Sequence, residues 1–295
     1  MVNIRAMRER REALLFPGQG SQTAEMREAA EAHRPELVEL AIAEVGADPF
    51  ELADEGTAYA QPAILCASLA AWTRAGEPHA WAFAGHSLGE LSALAAAGVL
   101  DAEDAVRLAV ARGRLMQEAA GEVPGGMLAL LGDGAKAREV AEATEVTLAN
   151  DNGPTQIVVA GSGEALAAAE AEAKARGIRT IRLAVRGAFH TPAMERVVEP
   201  FRAELERTSF RAPATTVFSS IAARPFDDDP QLIRDGLAAA LTNPVRWRET
   251  VDELYDAGVR SFAETGPGKA LTRMIKRNVD DVEVRLLAEA EVAHA

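Results

Sequence analysis

The tightest constraint in this sequence is WAFAGHSLGELSALAAAG, residues 81–98, where a short apolar run meets a serine flanked by glycines and then a helical pattern closed by Gly98. A chain that passes from strand to helix within GHSLG must bend sharply at Ser87. Gly85 and Gly89 allow the bend and the close packing of the helix behind it. The turn presents the Ser87 hydroxyl at a helix N-terminus, where backbone donors and the helix dipole favour developing negative charge.

Strands and helices alternate around this elbow, which points to an α/β class. EALLF, ending at Phe16, reads as a strand and PGQGSQ as the tight loop after it. Helices and loops then alternate to about Trp72. DAEDAVRLAVARGRLMQEAAG reads as a helix, with Asp101 as its N-cap and an acidic first turn. From Gly125 the order is strand (GGMLALLG), helix (AKAREVAEA), two strands (VTLAN and QIVVAG, joined by a turn at DNGP), helix (GEALAAAEAEAKARG) and strand (IRTIRLAV). That order is the ferredoxin-like βαββαβ unit. The expected architecture is a discontinuous large domain, 1–124 and 187–295, carrying an inserted small subdomain, 125–186, packed against it. After the insertion TPAMERVVEPFRAELERT reads as one helix, TTVFSS as a strand, VRWRETVDELYDAG as a helix, VRSFAET as a strand and GPGKALTRMIKR as a loop entering a helix.

The 295 residues suffice to bury a substantial core, and 48% apolar with 26% charged residues matches a soluble globular protein. The net charge of −14 argues against nucleic acid or an anionic membrane as the main partner. Cys66 is the single cysteine, so neither an intrachain disulfide nor a zinc cluster is expected, and in AILCASLA it reads as a small buried hydrophobe. No run approaches the ~20 apolar residues that span a bilayer. MVNIRAMRERRE lacks a signal-peptide hydrophobic region and reads as a loose start to a cytoplasmic protein.

A serine hydroxyl needs a base within hydrogen-bond reach. Of the five histidines, His33 lies in a polar helix, His79 beside a proline and His294 in the tail, all read as solvated. His86 adjoins the serine, and neighbours on an elbow rarely point the same way. His190, in RGAFHTPAM, remains as the candidate base; a helix-start histidine with a satisfied hydrogen bond is the alternative. Arg112 falls inside the apolar stripe of Ala105, Leu108, Ala109, Leu115 and Met116. It either snorkels to water or is buried, and a buried guanidinium wants a carboxylate, which a substrate could provide in bidentate geometry.

FPGQGSQ, GHSLGELSAL, ARGRLMQ, GAFHTPAM, NPVRW and ETGPGKALT, in this order from about residue 13 to 277, closely resemble the malonyl-CoA:acyl carrier protein transacylase family and the related acyltransferase domains of fatty acid and polyketide synthases. The resemblance implies an α/β-hydrolase-like large domain and an activity that moves malonyl from coenzyme A to the phosphopantetheine thiol of acyl carrier protein. The route would be a ping-pong exchange through a Ser87 ester, serving fatty acid biosynthesis. It makes Ser87 the nucleophile, His190 the base and then acid, and the main-chain N–H groups of Gln19 and Leu88 the oxyanion hole. Arg112 becomes the ligand of the malonyl carboxylate. Gln61 and Asn152 match cleft-lining positions. Phe189, before the histidine, would crowd a methyl branch and favour malonyl over methylmalonyl. Where relatives often carry a glutamine whose main-chain carbonyl orients the histidine, this chain has Ala240, and a carbonyl survives that change.

Acyl carrier proteins are acidic, so docking requires a local positive surface. Lys269, Arg273, Lys276 and Arg277 offer one, since lysine otherwise occurs only at 136 and 174; ordinary solvated helix charges are the alternative. No cofactor or metal is expected, malonyl-CoA being a substrate, and the protein is expected to be monomeric. Three other activities share parts of this pattern: a malonyl-selective acyltransferase serving a polyketide synthase, a serine thioesterase or other hydrolase, and a non-catalytic docking protein. Arg112 and the lack of an obvious triad carboxylate weigh against the hydrolase, and the intact Ser87, His190 and Arg112 weigh against the docking protein.

Overall fold

The computed structural model describes residues 11–287. Most of the MVNIRAMRERRE start, and His294, lie outside them. β1 (Arg11–Phe16) leads to α1 (Met26–His33), α2 (Pro35–Val45) and α3 (Thr57–Arg74); β2 (Ala82–Gly85), α4 (Gly89–Ala96) and α5 (Ala102–Glu122) follow. Next come β3 (Gly126–Leu131), α6 (Gly134–Glu142), β4 (Thr147–Gly153), β5 (Gln156–Gly161), α7 (Gly163–Ala175) and β6 (Arg179–Arg182). The described residues end with α8 (Val198–Arg207), β7 (Thr216–Ser219), β8 (Arg224–Pro225), α9 (Pro230–Ala239), α10 (Trp247–Asp256), β9 (Val259–Glu264), α11 (Ala270–Asn278) and β10 (Glu283–Leu286).

Six strands form one sheet in the order β10-β9-β1-β2-β7-β8, parallel except for β8. Its central strands are apolar on both faces because both are covered. Leu14 and Phe16 of β1 face the core under α1–α5, α8 and α9, while Ala13 and Leu15 face Trp247, Val251, Leu254, Leu271 and Ile275 of α10 and α11. Cys66 is buried within α3, where loss of hydration pushes its thiol up to about 12 and keeps it unreactive.

The other four strands form an antiparallel sheet in the order β4-β5-β3-β6. Leu128 and Leu130 of β3 and Ile157 and Val159 of β5 pack beneath α6 and α7, whereas Met127, Ala129, Val158 and Ala160 turn the other way and join the large core. The small sheet is thus sandwiched between its own helices and the larger sheet's layer.

Four local expectations change. DNGP is not a turn: β4 runs on through Asp151, Asn152 and Gly153, leaving two residues between it and β5. Hydrogen bonds Asp151 N–H to Val245 O and Val245 N–H to Ala149 O hold it extended against the large unit, and Arg138 and Arg248 both grip the Asp151 carboxylate, at 2.6 and 3.0 Å. TPAMERVVEPFRAELERT is not one helix but a 3-10 turn, Pro192–Val197, followed by α8. Pro200 lacks the N–H that would continue an α-helix back to Arg196 and its ring clashes with that carbonyl. IRTIRLAV forms a strand only to Arg182: β6 is an edge strand with four residues paired to β3, and beyond a last hydrogen bond from the Leu183 N–H to the Met127 carbonyl the chain leaves the sheet. Asp101 does occupy the N-cap of α5, but its carboxylate pairs with Arg211 at 2.6 Å instead of capping the helix.

Candidate active site

The site sits beyond the carboxyl ends of β1 and β2, where adjacent parallel strands open a crevice. A side chain on Gly85 would collide with the backbone of Gly89, and one on Gly89 with the Phe16 carbonyl, so both positions require glycine for the strand and helix to meet this closely. Between them Ser87 adopts φ +54. Among the described residues five non-glycine residues have positive φ, and two of them, Ser87 and His190 (φ +59), hydrogen-bond each other. Such strain persists where the surrounding structure over-determines it.

Ser87 Oγ lies 2.8 Å from His190 Nε2, and His190 Nδ1 lies 2.8 Å from the Ala240 carbonyl. A carbonyl only accepts, so Nδ1 carries the proton and Nε2 presents its lone pair to the serine hydroxyl. Burial, and then the positive charge of Arg112, push the His190 imidazole down to about 3, leaving it neutral at physiological pH. Among the described residues no carboxylate touches Nδ1, which separates this pair from a Ser-His-Asp triad.

Arg112 is 4% exposed, so it does not snorkel. Its Nη1 donates to Gln61 Oε1 at 2.8 Å and its Nη2 to Ser87 Oγ at 3.2 Å. Among the described residues Arg112 forms no ion pair, which leaves its guanidinium open to the substrate carboxylate that the sequence reading anticipates. Burial lowers it to about 10, still well above neutrality, so the guanidinium is charged. Gln61 is fixed in turn by donating Nε2 to Thr57 Oγ1 at 2.8 Å and to Met116 Sδ at 3.4 Å, and Thr57 donates its hydroxyl to Gln19 Oε1 at 2.7 Å.

A cavity of about 290 Å³ collects Gln19, Gln61, Ser87, Leu88, Arg112, Asn152, Phe189 and His190. Among the described residues no hydrogen bond occupies the main-chain N–H of Gln19 or Leu88. Asn152 accepts from His86 Nε2 at 2.8 Å, and the His86 ring packs edge-on to Trp247 at 5.4 Å. Burial lowers the His86 pKa, so this ring is also neutral. Lys269, Arg273, Lys276 and Arg277 do not enter the cavity. They are exposed on or just before α11, whose Ala270 and Met274 line it, so the basic face borders its mouth.

Two polar residues beside the nucleophile have partners that the sequence does not reveal. His86 diverges from Ser87, as neighbours on an elbow do, and turns onto Asn152. Glu90, three residues after the serine, is 1% exposed and accepts from the Ser220 N–H (2.6 Å) and hydroxyl (3.0 Å). A charged residue among the apolar positions of α4 was the available signal.

An elbow serine paired with a neutral histidine, beside free main-chain donors and a buried guanidinium, is equipped for acyl transfer. The chain belongs to the acyl transferase domain family, whose model matches residues 14–293. It is 39% identical over 297 residues to the malonyl CoA-acyl carrier protein transacylase of Escherichia coli O157:H7, covering 94% of this chain and 96% of that protein. The solved malonyl CoA-acyl carrier protein transacylase of Coxiella burnetii superposes with a TM-score of 0.88 at 30% identity, covering 96% of both chains. A malonyl-transacylase solved in complex with its type II PKS acyl-carrier protein matches with a TM-score of 0.85 at 35% identity, covering 96% of this chain and 98% of that one.

Proposed function

We propose that this chain transfers malonyl from malonyl-CoA to the phosphopantetheine thiol of an acyl carrier protein for fatty acid biosynthesis, through an ester on Ser87. His190 Nε2 takes the Ser87 proton as Oγ attacks the thioester carbonyl, and the Gln19 and Leu88 N–H groups receive the oxyanion. Collapse expels the coenzyme A thiolate, which leaves as the thiol with the proton returned by His190. The carrier thiol then gives its proton to His190 and attacks the ester, and Ser87 recovers its hydroxyl hydrogen. No cofactor enters these steps.

The observation that carries this reading is the convergence of Arg112 and His190 on one serine oxygen. A malonyl group esterified there places its free carboxylate within reach of a guanidinium that lacks an ion pair among the described residues. The carboxylate also cancels the charge that helps to hold His190 down, so substrate binding raises the basicity of the base. Acetyl groups would leave Arg112 unpaired and forgo that gain. Phe189, 6% exposed against the cavity, narrows the space at the substrate's second carbon.

On the same reading the four-stranded unit, residues 125–186, is a ferredoxin-like insertion, since its strand order has the two outer connections of that fold, and the remainder is an α/β-hydrolase-like domain built on the elbow. The protein acts as a monomer. Lys269, Arg273, Lys276 and Arg277 meet the acidic carrier at the cavity mouth; that an acyl carrier protein is the partner is supported by the relative solved in complex with its own.

Intact-mass measurement after mixing with malonyl-CoA tests the central step. One malonyl adduct is expected, absent from Ser87→Ala; free malonate without an adduct would identify a hydrolase.

A further inference from the structure

Thr57 has no part in the steps above, yet two residues of the site hang on its hydroxyl. It opens α3, and Gln61 stands one turn further on, on the same face of that helix. α5 closes on α3 at this point because Gly113, next to Arg112, carries no side chain to collide with the Thr57 carbonyl. Arg112 can therefore reach Gln61 Oε1, at 2.8 Å. A guanidinium only donates, so Gln61 turns its oxygen to Arg112 and its amide nitrogen to Thr57. The Thr57 hydroxyl accepts there and has one hydrogen left to give, which goes to Gln19 Oε1 at 2.7 Å. A chain of hydrogen bonds with a single direction thus runs from Arg112 to the loop after β1, and Gln61 and Thr57 are both buried within it. In that loop Ser21 Oγ donates to the Gly18 carbonyl and the Gly20 N–H to Gln22 Oε1, both at 2.8 Å, so Gln19 is held from either side as well as through its own amide.

We propose that Thr57 is a positioning residue whose hydroxyl aims the Gln19 N–H at the oxyanion and holds Gln61 against Arg112, setting the oxyanion donor and the carboxylate ligand in one register. The inference rests on the reading of Gln19 and Arg112 given above. A main-chain donor lowers the barrier only where the charge develops, so a small rotation of Gln19 costs rate in the acylation step and leaves donor binding nearly unchanged. Valine at 57 fills the same volume without the hydroxyl and leaves no room for a water to replace it. Gln19 Oε1 then loses its donor and Gln61 one of its two acceptors. The first loss bears on every acyl donor, the second on malonyl alone. This pattern differs from the loss of Arg112 itself, which vacates space for water at Gln61 and leaves the bond between Thr57 and Gln19 in place.

The test reads the first acylation of Ser87 by rapid quench and intact mass, at saturating malonyl-CoA or acetyl-CoA, so that neither unfolded protein nor weaker donor binding enters the rate constant. Thr57→Val should slow the acetyl reaction roughly 10-fold, a fraction of the ~10² to 10³ lost with a whole oxyanion donor, and should slow the malonyl reaction further. Thr57→Ser, which keeps the hydroxyl, should restore both. Gln19→Leu changes a half-buried loop residue and spares the core. It should slow the acetyl reaction as much as Thr57→Val does, and the double variant no more than either. Wild-type acylation rates in Thr57→Val or Gln19→Leu, equal slowing by Thr57→Ser, or additive losses in the double variant overturn the inference and leave the proposed function standing. Absence of any malonyl adduct on the wild type overturns the proposed function, and the inference with it.

Discussion

Arg112→Ala separates recognition of the malonyl carboxylate from the chemistry at Ser87. The guanidinium is 4% exposed, so water contributes little screening, and its removal leaves a substrate carboxylate without a partner in a buried site. Truncating one member of a buried, hydrogen-bonded charge pair costs about 2–5 kcal/mol, or roughly 30- to 5000-fold in kcat/KM. The same change removes a positive charge that depresses His190 and that an acetyl group cannot use, so acetyl transfer should hold or rise. Gln61 loses its bond to Arg112, but the space vacated by the side chain admits water to replace it. The assay is transfer from malonyl-CoA and acetyl-CoA to a phosphopantetheinylated carrier protein, read as the ratio of the two kcat/KM values. Equal losses with both donors would refute the reasoning, because Arg112 would then act on Ser87 or on the fold.

The remaining expectations concern the base, the pocket wall and the carrier. Since His190 is held down to about 3, kcat/KM should stay level as pH falls through about 6.5, where an ordinary histidine would protonate; a break there would mean the imidazole is not buried as described. The unfolded chain protonates this histidine below about 6.5 while the folded one does not, so the wild type should lose stability relative to His190→Gln as pH drops from there toward 3, measurable by urea denaturation. Phe189→Ala opens the cavity wall and should raise methylmalonyl transfer relative to malonyl in a competition assay; an unchanged ratio would remove Phe189 from substrate selection. Combining Lys276→Glu with Arg277→Glu on the exposed face of α11 should raise KM for the carrier, more so at low salt, while malonyl-Ser87 formation keeps its rate.

Much of the site could be read from the sequence because its chemistry is compressed into local patterns. The elbow needs glycines at 85 and 89 for steric reasons that any strand-turn-helix of this geometry shares, and periodicity puts Arg112 within the apolar stripe of α5. The misreadings arose where distant contacts overrule local preference. DNGP has turn chemistry, yet Val245, Arg138 and Arg248 hold it as strand. Asp101 has a cap's residue type, yet Arg211 claims its carboxylate. Periodicity leaves burial and snorkelling of Arg112 both open, and its neighbours lie beyond any local pattern, because Gln61 is 51 positions away in sequence. The partner of Glu90 is hidden for the same reason, since Ser220 lies 130 residues distant.

Pulse-labelling tests the covalent route most directly. The enzyme is charged with labelled malonyl-CoA, freed of coenzyme A and mixed with phosphopantetheinylated carrier protein. The label should leave Ser87 and appear as a thioester on the carrier, in a single turnover that needs no further malonyl-CoA. Label recovered as free malonate, or retained on the enzyme while the carrier stays unacylated, would contradict a malonyl-Ser87 intermediate on the path of transfer.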